Sequence, residues 1–212
     1  MKENREATYF TGIALSGSID VEMDYGKGNA LAVEADENLL PYPKTTVKDG
    51  ILLVKAKGNA HLKSSGKITV HGSAFKLTDL ELSGIGNING TGDLSNEGTT
   101  RIALSGSGNI NVGLKYFQET RINLSGRSNI TVSGSNINQL ITNISGSGCI
   151  NCSEMPADNV DASVSGSGNV KVNANKNVNA KLIGSGSFYY KGAATNITTK
   201  AFGSGKMRRI DD

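Results

Sequence analysis

The sequence predicts an all-β fold: a single-stranded parallel β-helix, or solenoid, of about 20 residues per coil. Three observations predict it. A short phrase recurs down two thirds of the chain. It reads Leu82-Ser-Gly-Ile-Gly-Asn-Ile, Leu104-Ser-Gly-Ser-Gly-Asn-Ile, Leu124-Ser-Gly-Arg-Ser-Asn-Ile, Ile144-Ser-Gly-Ser-Gly-Cys-Ile and Val164-Ser-Gly-Ser-Gly-Asn-Val. Weaker copies start at Leu62, Leu182 and Ala201, and the steps are 20, 22, 20, 20, 20, 18 and 19 residues. A fixed period of that size is the signature of a solenoid. Second, apolar residues alternate with polar ones on both sides of the phrase, as half-buried strands require. Third, the 212 residues include 27 glycines, 3 prolines and no Trp. Turns are therefore frequent, the segments between them extended and the core aliphatic.

The unit from Arg101 to Thr120 shows the coil. Ile102 and Leu104 alternate with Ala103 and Ser105, Gly106-Ser-Gly108 makes a corner, and Ile110 and Val112 alternate with Asn109 and Asn111. Gly113 breaks the strand, and Leu114 onward returns the chain to the next copy. Identical strands at constant spacing stack as parallel neighbours about 4.8 Å apart, and the crossover rule predicts a right-handed coil.

Stacking predicts inward rows. One runs Ile68, Ile88, Ile110, Ile130, Ile150, Val170, Phe188, Met207, and another runs Leu62, Leu82, Leu104, Leu124, Ile144, Val164, Leu182, Ala201. A third holds Leu140, Val160, Val178 and Ile197. The outward positions are short and polar, and the corner row Asn87, Asn109, Asn129, Cys149, Asn169 suits amide stacking along the axis. Before residue 60 only Leu15-Ser-Gly-Ser-Ile-Asp-Val21 is a recognisable copy. The expected layout is a disordered tail at 1–8, one β-helix domain at 9–207 and a tail at 208–212. Within the domain, residues 9–60 form longer, wider or antiparallel capping strands and 61–207 the regular coils.

Several functions are excluded by content. The net charge is +3 with both signs interspersed, and no basic block carries interleaved aromatics, so nucleic acid is not an expected partner. Lys206-Met-Arg208-Arg209 reads as a solvated end. No stretch reaches the ~18 apolar residues of a membrane helix, and Met1-Lys-Glu-Asn-Arg-Glu has no apolar region of a secretory signal. The glycines make corners, not a phosphate loop or a calcium nonapeptide, because no copy carries the required Lys-Ser/Thr or Asp. Cys149 and Cys152 match C-x-x-C, yet residues i and i+3 on a strand point to opposite faces, which works against a shared metal or a disulfide. Cys152 takes the place of Val112, Val132 and Val172 and reads as a small buried hydrophobe. His61 and His71 have no third ligand nearby.

Two candidate sites remain. Asp20, Glu22 and Asp24 alternate, so their carboxylates share one side of a strand, a geometry that suits a hard cation or a solvated strand face. Tyr189, Tyr190 and Tyr116 offer rings on which a sugar can stack, or which pack and protect an edge. No cofactor is implied.

The phrase Ser-Gly-Ser-Gly-Asn-Ile-Asn resembles the signature of the GIN-type head domain of putative auto-transporter adhesins, a bacterial family frequent in Bacteroidetes. Phe10-Thr-Gly-Ile13, Ser16-Gly-Ser-Ile-Asp-Val21, Glu37-Asn-Leu-Leu40 and Val47-Lys-Asp-Gly-Ile-Leu are similar to its first strands, so the resemblance spans roughly residues 9 to 207. It implies a β-helix in a secreted or cell-envelope protein, periplasmic or extracellular, and brings no catalytic motif. The function expected is that of a non-catalytic binding module contacting a surface glycan or protein along its polar faces. The alternatives are a structural protein that forms homo-oligomers through its coil ends and a polysaccharide-active enzyme. The second needs convergent acids, and the central coils, about 82 to 175, carry few carboxylates.

Overall fold

The computed structural model describes residues 1–25, 28–56, 66–92, 94–95, 98–115 and 118–210. Alternation sets the strands. In β1 (Lys2–Arg5), β2 (Gly12–Gly17), β3 (Asp20–Tyr25), β4 (Ala30–Glu34), β5 (Pro43–Lys48), β6 (Ile51–Ala56) and β7 (Thr69–Ala74) the chain builds one end of the stack. The regular coils follow as β8 (Asp79–Gly84), β9 (Asn87–Thr91), β10 (Leu94–Ser95), β11 (Thr99–Gly106), β12 (Asn109–Lys115), β13 (Glu119–Gly126) and β14 (Asn129–Gly134). The last are β15 (Ile137–Gly146), β16 (Cys149–Gly166), β17 (Asn169–Gly184), β18 (Ser187–Lys191), β19 (Asn196–Gly203) and β20 (Met207–Arg209). All the pairings from β8 onward are parallel, which makes the body a parallel β-solenoid.

The inward rows from Leu82 onward stack in the predicted register. Leu82, Leu104, Leu124, Ile144, Val164 and Leu182 form one row, and Ile88, Ile110, Ile130, Ile150, Val170 and Phe188 form the other. All of them are buried, and each such Leu or Ile side chain contributes roughly 1.5–3 kcal/mol. Toward the C-terminal end the neighbouring row shrinks from Ile102 and Ile122 through Thr142 to Ala162 and Ala180. Phe188 sits in the same coil as Ala180 and replaces the smaller Val170, so one large ring offsets the narrower residues opposite.

The N-terminal rows differ from the sequence reading. Val21, not Ile68, continues the row below Ile88, and Val70 lies below Val21. Thr69 pairs with Asp20, which puts Ile68 beside Ile19 at the corner. Leu62 lies outside the described residues. The path is also out of sequence order. β2 and β3 stack directly under β8 and β9, while β6 and β7 stack under β2 and β3. The first coil of the chain is thus sandwiched between its second and third, because β4 and β5 return antiparallel onto β7 and β6 to close the end. Residues 12–25 are therefore a coil, β6 with β7 forms the coil beneath it, and β1, β4 and β5 make the cap.

The expected tails are partly strand. β1 pairs antiparallel with β4, and β20 continues to Arg209 on β18. The Arg5 guanidinium ties the cap together by donating to the carbonyls of Leu40 (2.9 Å) and Pro43. Phe10 and Leu39 are buried beneath it. Edge strand β5 begins at a proline and carries Lys44 and Lys48, which discourages further pairing. The opposite end is open: every residue of β19 is exposed, including Ile197 and Phe202.

The 18-residue step has a local cause. Between β16 and β17 the register jumps at Cys152/Pro156 and again at Ala157/Asn159, so one strand carries two more residues than its partner. Glu154, in this bulge, reaches Lys191 at 3.3 Å.

Two buried threonines break the apolar rows. Thr120 and Thr142 are fully buried, and neither hydroxyl has a hydrogen-bond partner. An unpaired buried hydroxyl costs about 1–3 kcal/mol. Thr142→Val should therefore raise the melting temperature by roughly 2–4 °C, and a fall in a calorimetric scan would show that the hydroxyl is satisfied.

Two more buried groups make stability fall in alkali. Burial pushes the Tyr25 hydroxyl and the Cys152 thiol far up from their ordinary values. Above about pH 8.5 for thiol and 10 for phenol, the unfolded chain loses protons that the folded chain keeps. Unfolding free energy must then decline as pH rises. Denaturant midpoints at pH 7.5 and 10 should show that decline, and Cys152→Val should reduce it.

Candidate functional site

The outward side chains form ladders that bond along the axis. Asn109 Nδ2 donates to Asn87 Oδ1 at 3.0 Å, and Asn129 Nδ2 to Asn109 Oδ1 at 3.1 Å. The relay starts on a carboxylate: Asp20 Oδ1 accepts from the Asn87 backbone N–H (2.9 Å) and from its Nδ2 (2.8 Å). A charged acceptor strengthens and polarises such a chain of amides. Cys149 interrupts it. Asn143 bonds Asn123 on a second face (3.0 Å), and Asn196, Asn177 and Asn159 form a third ladder (2.9 and 2.6 Å).

The acidic candidates adjoin these ladders. Asp20, Glu22 and Asp24 share one side of β3, as their alternation predicts. However, Asp20 also pairs with Lys67 (3.3 Å), and Glu22 accepts from Asn89 (3.0 Å). Asp24 lines a shallow cleft with Lys2, Asn4 and His71, and His71 itself meets Glu34 at 2.8 Å. Asp20 is thus the first rung of an amide ladder, and Glu22 holds one amide of the next rung. Among the described residues, no three His, Cys, Asp or Glu side chains are grouped to hold a metal ion.

The tyrosines separate. Neighbours on a strand face opposite ways. Tyr190 follows the inward row Val172–Tyr190–Arg209 and stacks on Phe188, with ring centroids 6.5 Å apart. Tyr189 lies in the outward row, in register between Lys171 and Arg208. Tyr116 lies outside the described residues. Both cysteines are free thiols; Cys149 is half-buried on the outward side and Cys152 fully buried.

The sequence reading missed how charge is distributed. From residue 162 to 210 there are eight Lys and Arg residues and no Asp or Glu. Counting charge coil by coil, instead of over the chain, would have found it. Some basic residues are answered: Arg101 meets Asp79 (3.6 Å) and Arg121 meets Glu119 in the middle coils, and within the basic stretch itself Lys176 meets Asp158 (2.8 Å) and Lys191 meets Glu154. Hydrogen bonding from Lys176, then from Asn175, holds the Asp158 carboxyl below its usual range. Near Tyr189, by contrast, Lys171, Lys206 and Arg208 are exposed, with no ion pair to a described carboxylate. Lys206-Met-Arg208-Arg209 is therefore no loose end: its residues stand on the last coil, beside Tyr189.

The clefts between rungs are shallow surface features. One of about 330 Å³ runs along Glu81, Ala103, Asn123 and Asn143, and another of about 300 Å³ along Asn159, Asp161, Asn177 and Asn179. Asp158 accepts from Asn136 and Asn175, and Asp161 accepts from Asn179 Nδ2 (3.1 Å) and Gln139 Nε2 (2.7 Å).

No curated protein matches the chain. Solved structures do. A "putative adhesin" from Bacteroides fragilis aligns with a TM-score of 0.88 at 20% identity over 99% of this chain and 96% of that one. A "putative adhesin" from Parabacteroides merdae gives 0.74 at 21%, over 100% and 96%. A "putative lipid binding protein" from Parabacteroides distasonis gives 0.73 at 23%, again over 100% and 96%. At these identities the likeness establishes the fold. No helix among the described residues is long and apolar enough to cross a membrane. The sequence profile described as "putative auto-transporter adhesin, head GIN domain" matches residues 9–194, and the chain belongs to that family.

Proposed function

We propose that this chain is a non-catalytic binding module of the cell envelope, exposed to the periplasm or the exterior, whose polar outer faces contact a glycan or a protein. One observation carries the reading: the outward amides are already fixed by bonds along the axis. A surface ordered before binding loses little entropy on contact, and a solenoid presents it as an extended strip. The family description supports a cell-surface setting. The minimal loops leave clefts too shallow to close around a reacting bond. A glycan array and a pull-down from cell surfaces, both with the intact chain, test this. Saturable capture is expected; absence of capture above background by either route contradicts it.

A second reading, self-assembly, is favoured by the open C-terminal coil with exposed Ile197 and Phe202. Like charges from Lys200, Lys206 and Arg208 oppose joining two such ends, and Lys44 and Lys48 on the capped edge oppose joining it head to tail, so assembly would be weak and rise with concentration. Sedimentation across a hundredfold concentration range distinguishes the two: a constant monomer removes this reading.

A further inference from the structure

We infer that the outer face of the last three coils is a site for an anionic polysaccharide, centred on Tyr189 and held by Lys171, Arg208 and Lys206. This rests on the binding-module reading above and names its ligand class. The geometry comes from register. Asn151, Lys171, Tyr189 and Arg208 occupy one outward row on four successive rungs. Rungs advance by about 4.8 Å, close to the advance of one pyranose along an extended chain. Lys171 and Arg208 thus stand two rungs apart, with a tyrosine between them. An acidic sugar chain lying along the axis would place a ring on Tyr189 and its carboxylates or sulfates on the flanking cations. Lys206 lies in the adjacent corner row, beside Ser187. The polar edge and face of the tyrosine suit a sugar ring, and the guanidinium suits a planar or tetrahedral anion.

Charge argues the same way. On the neighbouring face Lys181 and Lys200 are direct cross-strand partners, and like charges so placed repel unless an anion lies between them. Apart from Lys176 and Lys191, which meet Asp158 and Glu154, the Lys and Arg residues from 162 to 210 have no ion pair to a described carboxylate, so this face attracts polyanions. The amide ladders supply none of this, since they are neutral and bonded to one another.

The test measures affinity of the intact chain for polygalacturonate, for neutral dextran, and for vesicles of phosphatidylglycerol. Polygalacturonate binding is expected, weakening steeply with salt, with none to dextran. Lys171→Gln with Arg208→Gln should weaken it by at least roughly tenfold. Tyr189→Ala should weaken it roughly fivefold, and Tyr189→Phe little. These side chains lie on the outer face, so melting curves should stay within a few degrees of the parent and certify folding. Equal affinity for dextran overturns the inference, as does full affinity in the double variant. Binding to vesicles without binding to polygalacturonate overturns it in favour of a membrane surface. If the double variant still captures cell surfaces while polygalacturonate binding is absent throughout, this site fails and the binding-module reading stands.

Discussion

Gly146→Ala should destabilise the protein by roughly 3 kcal/mol, lowering the melting temperature by about 6–12 °C. Gly146 has φ +131°, a conformation that side chains rarely adopt. A Cβ there would also stand 2.6 Å from the Gly126 carbonyl oxygen one rung away. The two costs can be separated. Gly17 has φ +101° but nothing within 4 Å of its would-be Cβ, so Gly17→Ala should cost only the backbone strain, about 1–2 kcal/mol. If both substitutions cost the same, the contact between corners is not what demands glycine.

Phe188→Ala should cost about 3–5 kcal/mol, the largest effect expected from a core position. Phe188 is fully buried, stacks on Tyr190, and fills a coil whose other inward positions include Ala180 and Ala194. Those small neighbours cannot expand into the void. Phe188→Leu should recover most of the loss, within about 1.5 kcal/mol of the parent. Because solenoids unfold by stretches of neighbouring coils, the loss should appear first as fraying of β17 to β20. Limited proteolysis followed by mass spectrometry would locate it; cleavage starting instead in the N-terminal cap would show that the cap is the weaker end.

From Leu82 onward the repeat made the architecture legible, because each position of the phrase has one physical job. Leu104 and Ile110 are core, Gly106 is a corner, and Asn109 stacks on Asn87. The reading failed where the spacing did not come from the corner. Ile68 follows a phrase-like stretch, yet Val70 occupies the row, since register is set by pairing with Val21 and not by local similarity. The out-of-order path of β2 and β3 was invisible because parallel strands carry no mark of which rung precedes which. The strand β1 was missed because Lys-Glu-Asn-Arg shows no apolar alternation; antiparallel bonds to β4 and the Arg5 contacts hold it.

The candidate site was half legible. Period two already separates Tyr189 from Tyr190, one outward and one against Phe188. The register neighbours of Tyr189 were hidden, because Lys171 and Arg208 line up with it only through the stacking of three coils. The carboxylates of Asp20 and Glu22 pointed where the alternation put them, but their partners Asn87 and Asn89 come from residues 67 positions away.

The central claim is that the repeated phrase is a rigid scaffold, whose corners bond rung to rung and fix the outward side chains before any partner arrives. Residue-resolved amide hydrogen exchange tests it most directly. The corner amides of Ser107, Ser147, Ser167 and Ser185 each donate to the glycine carbonyl of the preceding rung at 2.9–3.0 Å. They should exchange as slowly as the flanking strands β11 to β17, with protection falling only across β19 and β20. Corner amides that exchange within seconds while their strands stay protected would mark the phrase as a row of open loops and contradict the account.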